Sequence, residues 1–494
     1  MVNCRKRDFT RLTTTLIGIV GVTVLAGGLV FGQNFSAAIS GFVHDTTGAV
    51  IPGTTVTAKH TETGLTRTVQ TNEEGGYTMP QLPVGSYEIT AEKPGFRQQV
   101  RSGITLVVAQ EAVVNLTLNV GDLAEKITVA EDTPIVNTTL SSVSGLINQQ
   151  QIKDMPLNGR SFNDLLVLNT NVNDNRANTN AGGPSFSISG KRLETNRWTI
   201  NGMDYVGTNS QGTTNAPNGM SDQLLGVEAV REYNVLGHSY GAEYGKRSGG
   251  QVTVVTTSGT NQWHGAVFEY LRNNKLDARP FFSQETAPFK RNQFGGSLGG
   301  PIVKDKMFIF GTYEGFRERL AKDTTTIVPS AQARQGLIPC YLAYPTNTAT
   351  ACPDRGAYVT APNLVPGILP FFRYWPAPNG PELLTNGLPD GSALSFSNPS
   401  RPVNEDFGLS RFDYTLSTQD TLSTSFSADR GTRNNPPDNP VMIERSGNSL
   451  YTLSTQETHI FSPTVVNTAT FGYARAWQTS CQLRTSHSPT ACSL

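Results

Sequence analysis

The sequence has little of what most metal and hydrolase sites require. Its 494 residues include only five cysteines and six histidines. The histidines stand singly, and the chain has neither an H-E-x-x-H nor a Cys-x-x-Cys pair. Because no residue set for zinc chemistry is visible, we expect no catalytic residue, no metal ligand and no cofactor.

An excess of one charge is also missing, as are long apolar runs beyond the N-terminus. The chain has 39 basic and 39 acidic side chains, so nothing attracts it generally to nucleic acid. After the first forty residues no run of about twenty apolar residues occurs, which argues against a helical membrane span. A β-barrel is compatible with this sequence, because its strands need only alternate. Abundant turn residues, 48 Gly and 29 Pro, favour a mainly β chain.

The N-terminus has the pattern of an export signal, which we assign to residues 1–32. An apolar, glycine-containing segment at 16–31 follows a basic group made of Arg5, Lys6, Arg7 and Arg11. The mature chain would then begin at Gln33. An uncleaved helical anchor is the alternative, although the apolar run is slightly short for a span.

Export would permit disulfides, and Cys4 would leave with the signal. Cys340 and Cys352 lie close together within one long segment between predicted strands, where they could pair. Two free thiols are equally compatible with the sequence.

Residues 36–120 form the first predicted domain. Short segments rich in β-branched and aromatic residues are separated by Thr-Gly, Pro-Gly and Pro-Val-Gly turns. Seven strands at this spacing suffice to bury the two inner faces of a small β-sandwich. The predicted strands are 38–44, 54–60, 66–71, 76–82, 86–93, 96–104 and 111–120.

Motifs in this domain point to a particular module. In chain order they are G-x-V-x-D-x-x-G at 41–48, I-P-G at 51–53 and L-P-x-G-x-Y-x-I at 82–89. The set resembles the carboxypeptidase-regulatory-like, transthyretin-like module. The resemblance implies a structural or binding Ig-like sandwich without zinc, and neither His44 nor His60 has a ligand neighbour at helical spacing.

Residues 121–139 form a linker. It contains the segment Glu125, Lys126, Ile127, Thr128, Val129 and Ala130. This segment resembles the TonB box, through which outer-membrane transporters engage the energising protein TonB by adding a strand to its sheet edge. Since backbone hydrogen bonds supply the affinity, the sequence requirement is loose. One more sandwich strand, or a plain linker, is the alternative.

Residues 140–258 have a sequence pattern that differs from that of the first domain. A short helix is predicted at 147–155, because Pro156 would end it. A second short apolar element follows at 162–168, and strand-like runs occupy 186–190, 197–204, 227–235 and 252–257.

Four motifs in this region resemble the plug domain of TonB-dependent transporters. They are M-P-L-N-G-R-S-F, W-T-I-N-G-M-D, V-E-A-V-R-E-Y and A-E-Y-G-x-x-S-G-G-Q-V-T-V-V-T. The set is most similar to the Oar-like branch, in which a carboxypeptidase-regulatory-like module precedes the plug. The resemblance implies a compact mixed α+β domain that is polar outside, sits in a water-filled lumen and can be displaced.

Two patterns invite a catalytic interpretation. Asp204 with Glu228 and Glu232 could form an acid–base pair, although isolated carboxylates are more often solvated or paired with Arg231. The glycine run 295–300 lacks the Lys-Ser/Thr of a phosphate-binding loop and lies inside a strand pattern. We therefore expect neither enzymatic activity nor nucleotide binding.

The last third, residues 262–478, alternates apolar and polar side chains as membrane-barrel strands do. In 421–429, for example, Leu422 and Phe426 share the face predicted to meet lipid. The predicted strands are 264–272, 292–300, 307–319, 407–416, 421–430, 450–460 and 466–477.

The links between these predicted strands are alternately short and long. Short links are predicted at 304–306, 417–420 and 462–464, and long links at 273–291, 320–405 and 431–449. Short turns on one side and long loops on the other are typical of bacterial outer-membrane barrels.

Seven strands cannot close a barrel of this kind, which in the resembling transporters has about twenty-two. We therefore expect the barrel to be incomplete, with an exposed edge on the strand that begins at Trp263. We also expect the chain to be the N-terminal portion of a longer protein, with an irregular tail at 479–494.

The resemblances together imply a TonB-dependent receptor or transporter in the outer membrane of a Gram-negative-type bacterium, with a periplasmic N-terminal module. The implied partners are a TonB-ExbB-ExbD type energising complex, outer-membrane lipid and a solute of the peptide or oligosaccharide class, with no nucleic acid. An adhesin or signalling receptor of the same architecture is one alternative. A secreted polysaccharide- or peptide-binding β protein would fit the first domain alone.

Overall fold

The structure, a computed structural model, describes residues 36–484 with several gaps. The omitted residues are 122–125, 131–142, 156, 158–159, 175–185, 206–218, 223–225, 242–243, 279–285, 287, 322–323, 346–351, 436–441 and 463–464. The predicted signal, residues 1–32, therefore lies outside the described residues. Nowhere in the described part does a helix reach the length and apolarity needed to cross a membrane.

The first unit is a two-sheet sandwich. Its strands are β1 Ala37–Asp45, β2 Thr55–His60, β3 Thr66–Gln70, β4 Gly76–Leu82, β5 Gly85–Glu92, β6 Gln98–Leu106, β7 Glu111–Val113, β8 Leu116–Leu118 and β9 Lys126–Ala130. One sheet has the order β4-β1-β7, with β8 also on β1, and the other has the order β3-β2-β5-β6-β9. The predicted strands are found, and the last of them splits into β7 and β8.

Alternation along these strands builds the sandwich core. In β5 every second residue is buried, including Tyr87 and Ile89. They pack between the sheets against residues such as Ile39 and Leu116, both 0% exposed. The Tyr87 hydroxyl donates to the Pro83 carbonyl oxygen at 2.9 Å, so its burial leaves no unsatisfied hydroxyl.

The second unit, the described residues of 143–257, is called the central domain below. Its strands are β10 Val143–Asn148, β11 Val172–Asp174, β12 Phe186–Ile188, β13 Arg197–Ile200, β14 Met203–Asp204, β15 Val230–His238 and β16 Gln251–Thr256. Its helices are α1 Gln149–Asp154 and the 3-10 turns Phe162–Leu168, Leu193–Thr195 and Val227–Ala229. The main sheet has the order β10-β15-β16-β13-β14, in which only β13 and β16 run parallel.

The predicted helix at 147–155 is too long at its start. Ile147 belongs to β10, where it pairs with Tyr233 of β15, and both are buried. The helix begins only after Asn148, whose side chain accepts a hydrogen bond from the Gln151 amide at 2.9 Å. Cross-strand pairing with a distant segment therefore decides the boundary, and local pattern does not reveal it.

The remaining strands belong to the third unit. They are β17 His264–Asn273, β18 Phe289–Val303, β19 Met307–Ala321, β20 Thr324–Pro329, β21 Leu337–Pro339, β22 Tyr358–Thr360, β23 Glu382–Thr385, β24 Leu388–Ser397, β25 Ser400–Thr415, β26 Asp420–Asn435, β27 Met442–Ser462 and β28 Val465–Arg484. Seven form an antiparallel sheet of order β17-β18-β19-β25-β26-β27-β28, called the wall below. All seven wall strands were predicted.

Several wall strands are longer than predicted. β25 begins at Ser400, and most of the predicted loop 431–449 is strand because β26 reaches Asn435 and β27 begins at Met442. β28 continues to Arg484, so the wall passes the predicted boundary at 478. Apolar alternation fades where both faces are polar, yet the backbone ladder continues there, and this explains the error.

The predicted loop 320–405 contains a folded insertion. β20, β24 and β23 form one small sheet and β21 and β22 another, accompanied by α2 Cys340–Ala343 and the 3-10 helices Ala333–Gln335 and Pro366–Tyr374. Cys340 and Cys352 are joined by a disulfide with a Cα–Cα distance of 5.6 Å.

The two faces of the wall differ as expected. Ser425 and Asp429 are 8% and 3% exposed and face the central domain, whereas Phe426 between them is 44% exposed on the other face. At the edge of the sheet, β17 pairs only with β18 among the described strands. Because β17 has a single neighbour there, its other edge is open, as expected.

Candidate functional site

The central domain lies against the inner face of the wall, and an ionic clamp holds one of its ends. Asp222 accepts from Arg401 on β25 at 3.0 Å and also pairs with Arg433 on β26. The neighbouring Ser221 amide donates to Glu405, which is 0% exposed. Two strands of the wall thus hold a single acidic residue of the central domain.

A second contact uses the turn between β13 and β14. The Asn201 side-chain amide donates to Ser425 Oγ at 2.9 Å, and its backbone carbonyl accepts from Ser454 Oγ at 3.1 Å. Asn201 has φ +47°, a left-handed conformation that Asn tolerates better than most residues. This tight turn therefore presents one polar residue to two wall strands.

A third contact surrounds Gly226. Its amide donates to Glu314 Oε2 on β19 at 2.9 Å, and Glu314 is 1% exposed. Gly226 has φ +90°, and a Cβ built on it would lie 2.3 Å from the Phe407 ring. The backbone conformation and the close approach to the wall both require glycine here.

The end of β16 is fixed to the wall by Arg411. Arg411 Nη1 donates to the Thr256 carbonyl oxygen at 2.7 Å, while its Nε lies 2.9 Å from Asp413 on the same strand. Arg411 and Asp413 therefore both lie on the inner face of the wall. Their pairing orients the guanidinium toward the central domain.

The sandwich packs against the central domain as well. Glu232 accepts a hydrogen bond from the Val108 amide, and Asn234 Nδ2 donates to the Val108 carbonyl oxygen at 3.3 Å. Arg231 pairs with Glu62 of the sandwich at 2.9 Å. A small apolar cluster completes this interface, formed by Val84, Val108 and Val255.

The sandwich also contacts the short turns of the wall. Arg67 Nη1 donates to the Thr418 carbonyl oxygen at 2.5 Å, in the turn between β25 and β26. Asn261, in the link before β17, bonds to Asp305 in the turn between β18 and β19 at 2.6 Å, and its amide donates to the Glu62 carbonyl oxygen at 2.8 Å. The sandwich therefore lies at the end of the wall where the links are short.

A cavity of about 140 Å³ lies where the three units meet. Residues from each unit line it, among them His60, Arg231, Thr256 and Arg411. Burial lowers the pKa of His60, which therefore tends to stay neutral there. The cavity is too small for a peptide or oligosaccharide and marks the junction of the units.

The predicted TonB box lies at the edge of the sandwich. Glu125 is outside the described residues, but Lys126–Ala130 forms β9, which pairs in parallel with β6 from Gln98↔Lys126 to Ser102↔Ala130. The segment is thus an extended strand held by backbone pairing. This geometry agrees with the alternative of a further sandwich strand and leaves the TonB-box assignment a prediction.

The three carboxylates considered for acid–base chemistry do not meet. Asp204 pairs with Arg197 at 2.6 Å and with Lys246. Burial acts to raise the pKa of Asp204, but hydrogen bonds from Lys246 and Arg197 hold it below its ordinary value. The expected pairing with Arg231 is not found for these acids, since Arg231 binds Glu62.

Glu228 and Glu232 have separate environments. Glu228 binds Lys153 at 2.8 Å and Arg160 at 3.1 Å. Burial raises the pKa of Glu232 to about 7, against the opposing effects of the Val108 amide and Arg231. Each carboxylate therefore has its own structural partners, and the acid–base interpretation has no geometric support.

The glycine run lies inside wall strand β18, as the sequence pattern predicted. Ser297 lies in the sequence Gly-Gly-Ser-Leu-Gly, whose spacing is that of a nucleophile turn. It sits in the middle of β18, paired with Ala266 on one side and Thr312 on the other. The serine of a G-x-S-x-G nucleophile elbow sits on a sharp strand-to-helix turn, and Ser297 does not have that backbone setting.

One grouping escaped the sequence reasoning. Asp420, Glu457 and His459 offer ligand atoms within 4.8 Å of one another at the turn end of β26 and β27. His459 already hydrogen-bonds Asp420 at 2.5 Å, which accounts for their proximity. The ionic clamp was missed as well, because Asp222, Arg401 and Arg433 are far apart in the chain and only tertiary packing brings them together.

Comparisons with known proteins define the class. Residues 38–119 match the family model described as "Carboxypeptidase regulatory-like domain", and residues 255–492 match "Outer membrane beta barrel domain". The chain therefore contains an outer-membrane β-barrel domain preceded by a carboxypeptidase regulatory-like domain.

A curated relative narrows this class. The chain is homologous to the "TonB-dependent transporter Oar" of Myxococcus xanthus, with 29% identity over 314 residues. The match covers 60% of this chain and 28% of the relative, so the chain spans less than a third of that protein's length.

Solved structures of outer-membrane proteins are also similar. The transporter YddB from Escherichia coli matches 68% of this chain and 40% of its own, with a TM-score of 0.43 and 12% identity. The siderophore receptor PirA from Acinetobacter baumannii matches 70% of this chain and 45% of its own, with a TM-score of 0.35 and 12% identity.

Proposed function

We propose that this protein is a TonB-dependent receptor that transports a solute across the outer membrane, with the central domain as its displaceable plug. The observation that carries the proposal is the seating of the central domain against the inner face of the wall. The name of the Myxococcus relative supports the dependence on TonB.

The seating combines separate polar contacts with small apolar ones. Leu450 of the wall belongs to the core of the central domain, and Met220 and Ala229 each pack against apolar wall residues. The Asp222 clamp, the Asn201 turn and the Arg411–Thr256 bond lie at separate points on three adjacent wall strands, β25, β26 and β27. Hydrogen bonds and partly exposed ion pairs of this kind contribute about 1 kcal/mol each, because water replaces them when they break. The polar contacts can therefore break one by one at a modest cost each, and the apolar contacts add the cost of exposing a few side chains.

The wall is stabilised by backbone pairing between its strands. Its seven strands are joined by continuous antiparallel ladders, such as the one between β26 and β27. A ladder of this length breaks only if many backbone bonds break together. Under load the central domain would therefore move before the wall does.

We further propose that the solute is a peptide or an oligosaccharide and that the energising partner is a TonB-ExbB-ExbD type complex. The partner would engage the segment from Glu125 to Ala130. A strand-forming segment between the sandwich and the central domain is suitably placed, because a pull on it reaches the first strand of the central domain through the chain.

Cysteine labelling in cells tests whether the central domain moves. Ser425→Cys places a thiol beneath Asn201, where it is shielded while the central domain is seated. With the proton gradient intact, a membrane-impermeant maleimide should label this thiol several times faster than after addition of a protonophore. Ser400→Cys, at an exposed wall position, is the matched control and should react equally under both conditions.

The same experiment discriminates against an adhesin or signalling receptor without transport. Labelling of Ser425→Cys that ignores the gradient would contradict an energised plug. Deleting residues 126–130 in the same background should abolish any gradient-dependent labelling, since the partner would then have no segment to engage.

A further inference from the structure

We propose that the outer face of the wall binds the phosphorylated headgroup of an outer-leaflet glycolipid in a recess between β26, β27 and β28. The outer face is the side turned away from the central domain, to which Phe426 belongs. The recess has a volume of about 520 Å³, within the range of small-ligand sites. Its lining includes Arg430, Thr432, Ser449, Arg475, Trp477 and Thr479. Binding there requires only that the wall lies in the outer membrane, and it is independent of solute transport.

The strand register explains why a recess forms at this point. Arg430 and Trp477 lie in one row on either side of Ser449, because β27 pairs Ser449 with both of them. In the next row away from the turn at 417–420, β27 has Gly447, which has no side chain. Small residues of the middle strand therefore form the floor. Larger residues of its two neighbours form the walls, which stand two strand spacings, or roughly 10 Å, apart.

Two exposed arginines, Arg430 and Arg475, flank the recess. The Arg430 Cζ lies 5.1 Å from the centroid of the Tyr451 ring, and the Arg475 Cζ lies 4.9 Å from that of Trp477. Within the described part of the wall, neither guanidinium pairs with a carboxylate. The N–H groups of a guanidinium lie in its plane, so stacking on a ring leaves them able to donate a bidentate pair of bonds to an oxyanion.

The recess lies at the height of a boundary between membrane and water. From Asp420 at the short turn to Arg430, β26 rises about 25 Å when tilted as barrel strands are, which is the height of the apolar band. The outward residues of β26 between these two are uncharged, and β28 has no charged residue between Val465 and Arg475. The two arginines are therefore the first charges beyond the apolar band on the outer face of their strands. Tyrosine and tryptophan form the aromatic girdle at the same height.

Charge and position together select the ligand. Barrels of this kind have short periplasmic turns, so the recess, at the end away from the short turns, meets the outer leaflet. Arginines that face lipid without a counter-charge are costly, and a membrane-anchored phosphate removes that cost. A phosphate alone would leave much of the recess empty. The hydroxyls of Thr432, Ser449 and Thr479 can exchange hydrogen bonds with sugar hydroxyls, so a phosphorylated sugar fits the recess better than a simple phospholipid headgroup.

Lipid binding to the full chain in detergent tests the assignment. The probe is a diphosphorylated, acylated glucosamine disaccharide, and its affinity is measured by native mass spectrometry. The double variant Arg430→Gln with Arg475→Gln should bind this lipid about tenfold more weakly or worse, because two charge-assisted contacts are lost. Arg317→Gln is the matched control. Arg317 lies on the same face, but it already pairs with Asp406 at 2.6 Å, so its replacement should leave the affinity unchanged.

A second variant separates a shaped site from general charge attraction. Ser449→Phe fills the floor of the recess and keeps both arginines, so it should also weaken binding several-fold. Unchanged affinity in this variant would show that the recess itself is not the site. Equal binding of the glycolipid by the unsubstituted chain and the double arginine variant would overturn the site altogether, as would a failure of the unsubstituted chain to bind.

Three comparison ligands test the chemistry of the headgroup. The same glycolipid without its phosphates and phosphatidylglycerol should each bind several times more weakly, and inorganic phosphate should not displace the glycolipid. Equal binding of the dephosphorylated lipid would overturn the role of the phosphate. Equal binding of phosphatidylglycerol, or displacement by inorganic phosphate, would overturn the assignment to a glycolipid. None of these results depends on the proton gradient, so the proposed transport stands or fails separately.

Discussion

Glu232 of the central domain accepts a hydrogen bond from the amide of Val108 in the sandwich. The carboxyl group is 5% exposed, and burial raises its pKa to about 7. The contact between sandwich and central domain therefore contains a group whose pKa is close to neutral, with the Val108 amide and then the Arg231 charge opposing the shift.

A pH dependence follows from this contact. Because the pKa of Glu232 is raised in the folded state from 4.5 to about 7, its contribution to stability is fully present below about pH 4.5 and is lost as pH rises through about 7. Between pH 5 and pH 8 the loss should be on the order of 2 kcal/mol. Glu232→Gln should remove this part of the dependence in thermal unfolding, whereas Glu73→Gln at an exposed turn should not. Identical pH profiles for Glu232→Gln and the unsubstituted chain would contradict the assignment.

Substitution of Asp222 in the ionic clamp should locally loosen the contact between the central domain and the wall. Asp222→Asn leaves Arg401 and Arg433 side by side, each about a fifth exposed, without their shared anion. The cost should be about 2 kcal/mol, since one substitution leaves two cations uncompensated. Hydrogen exchange of residues 219–222 should accelerate at least tenfold. Asp174→Asn, at an exposed position of the central domain, is the control and should leave this exchange unchanged.

A comparison of Gly226 with Gly190 separates the cost of a left-handed backbone conformation from the cost of a steric clash. Both have positive φ, +90° and +70°, but a Cβ at Gly226 would clash with Phe407, whereas none lies within 4 Å at Gly190. Gly190→Ala should cost about 1 kcal/mol for the backbone conformation alone. Gly226→Ala should cost about 3 kcal/mol, because overpacking against the wall is added. Calorimetry in detergent would measure both, and equal costs would show that the wall yields to the added methyl group.

The disulfide of the insertion predicts a local effect. Cys340 and Cys352 are 3% and 1% exposed and close a short loop, with a sequence separation of 12. Replacing both with Ala should destabilise the insertion by about 2–3 kcal/mol. Limited proteolysis should then cut within residues 324–397 much sooner, while cleavage within the wall strands should keep its rate. Unchanged cleavage of the insertion would show that its small sheets hold it without the bridge.

The sequence by itself determined the order of the units and most of their strands. Period-two alternation in β5 and β26 marks strands with two unlike faces, because successive side chains in a strand point to opposite sides. The motifs at 41–48 and 82–89 sit at turns whose residue types are dictated by backbone conformation, so they can be read locally. The same reasoning failed at β25, β27 and β28, where polar residues continue a ladder that only the neighbouring strand stabilises.

Only the tertiary structure decided how the units meet. Asp222 with Arg401 and Arg433, Val108 with Glu232, and β9 with β6 join segments whose pairing has no periodic or compositional signal. Charged and amide groups of this kind occur throughout the chain, and which of them pair depends on distances that only the folded chain sets. For that reason the sequence predicted a plug-like domain beside barrel strands, whereas the contacts that hold it there, and the pairing of β9 with β6, emerged from the fold.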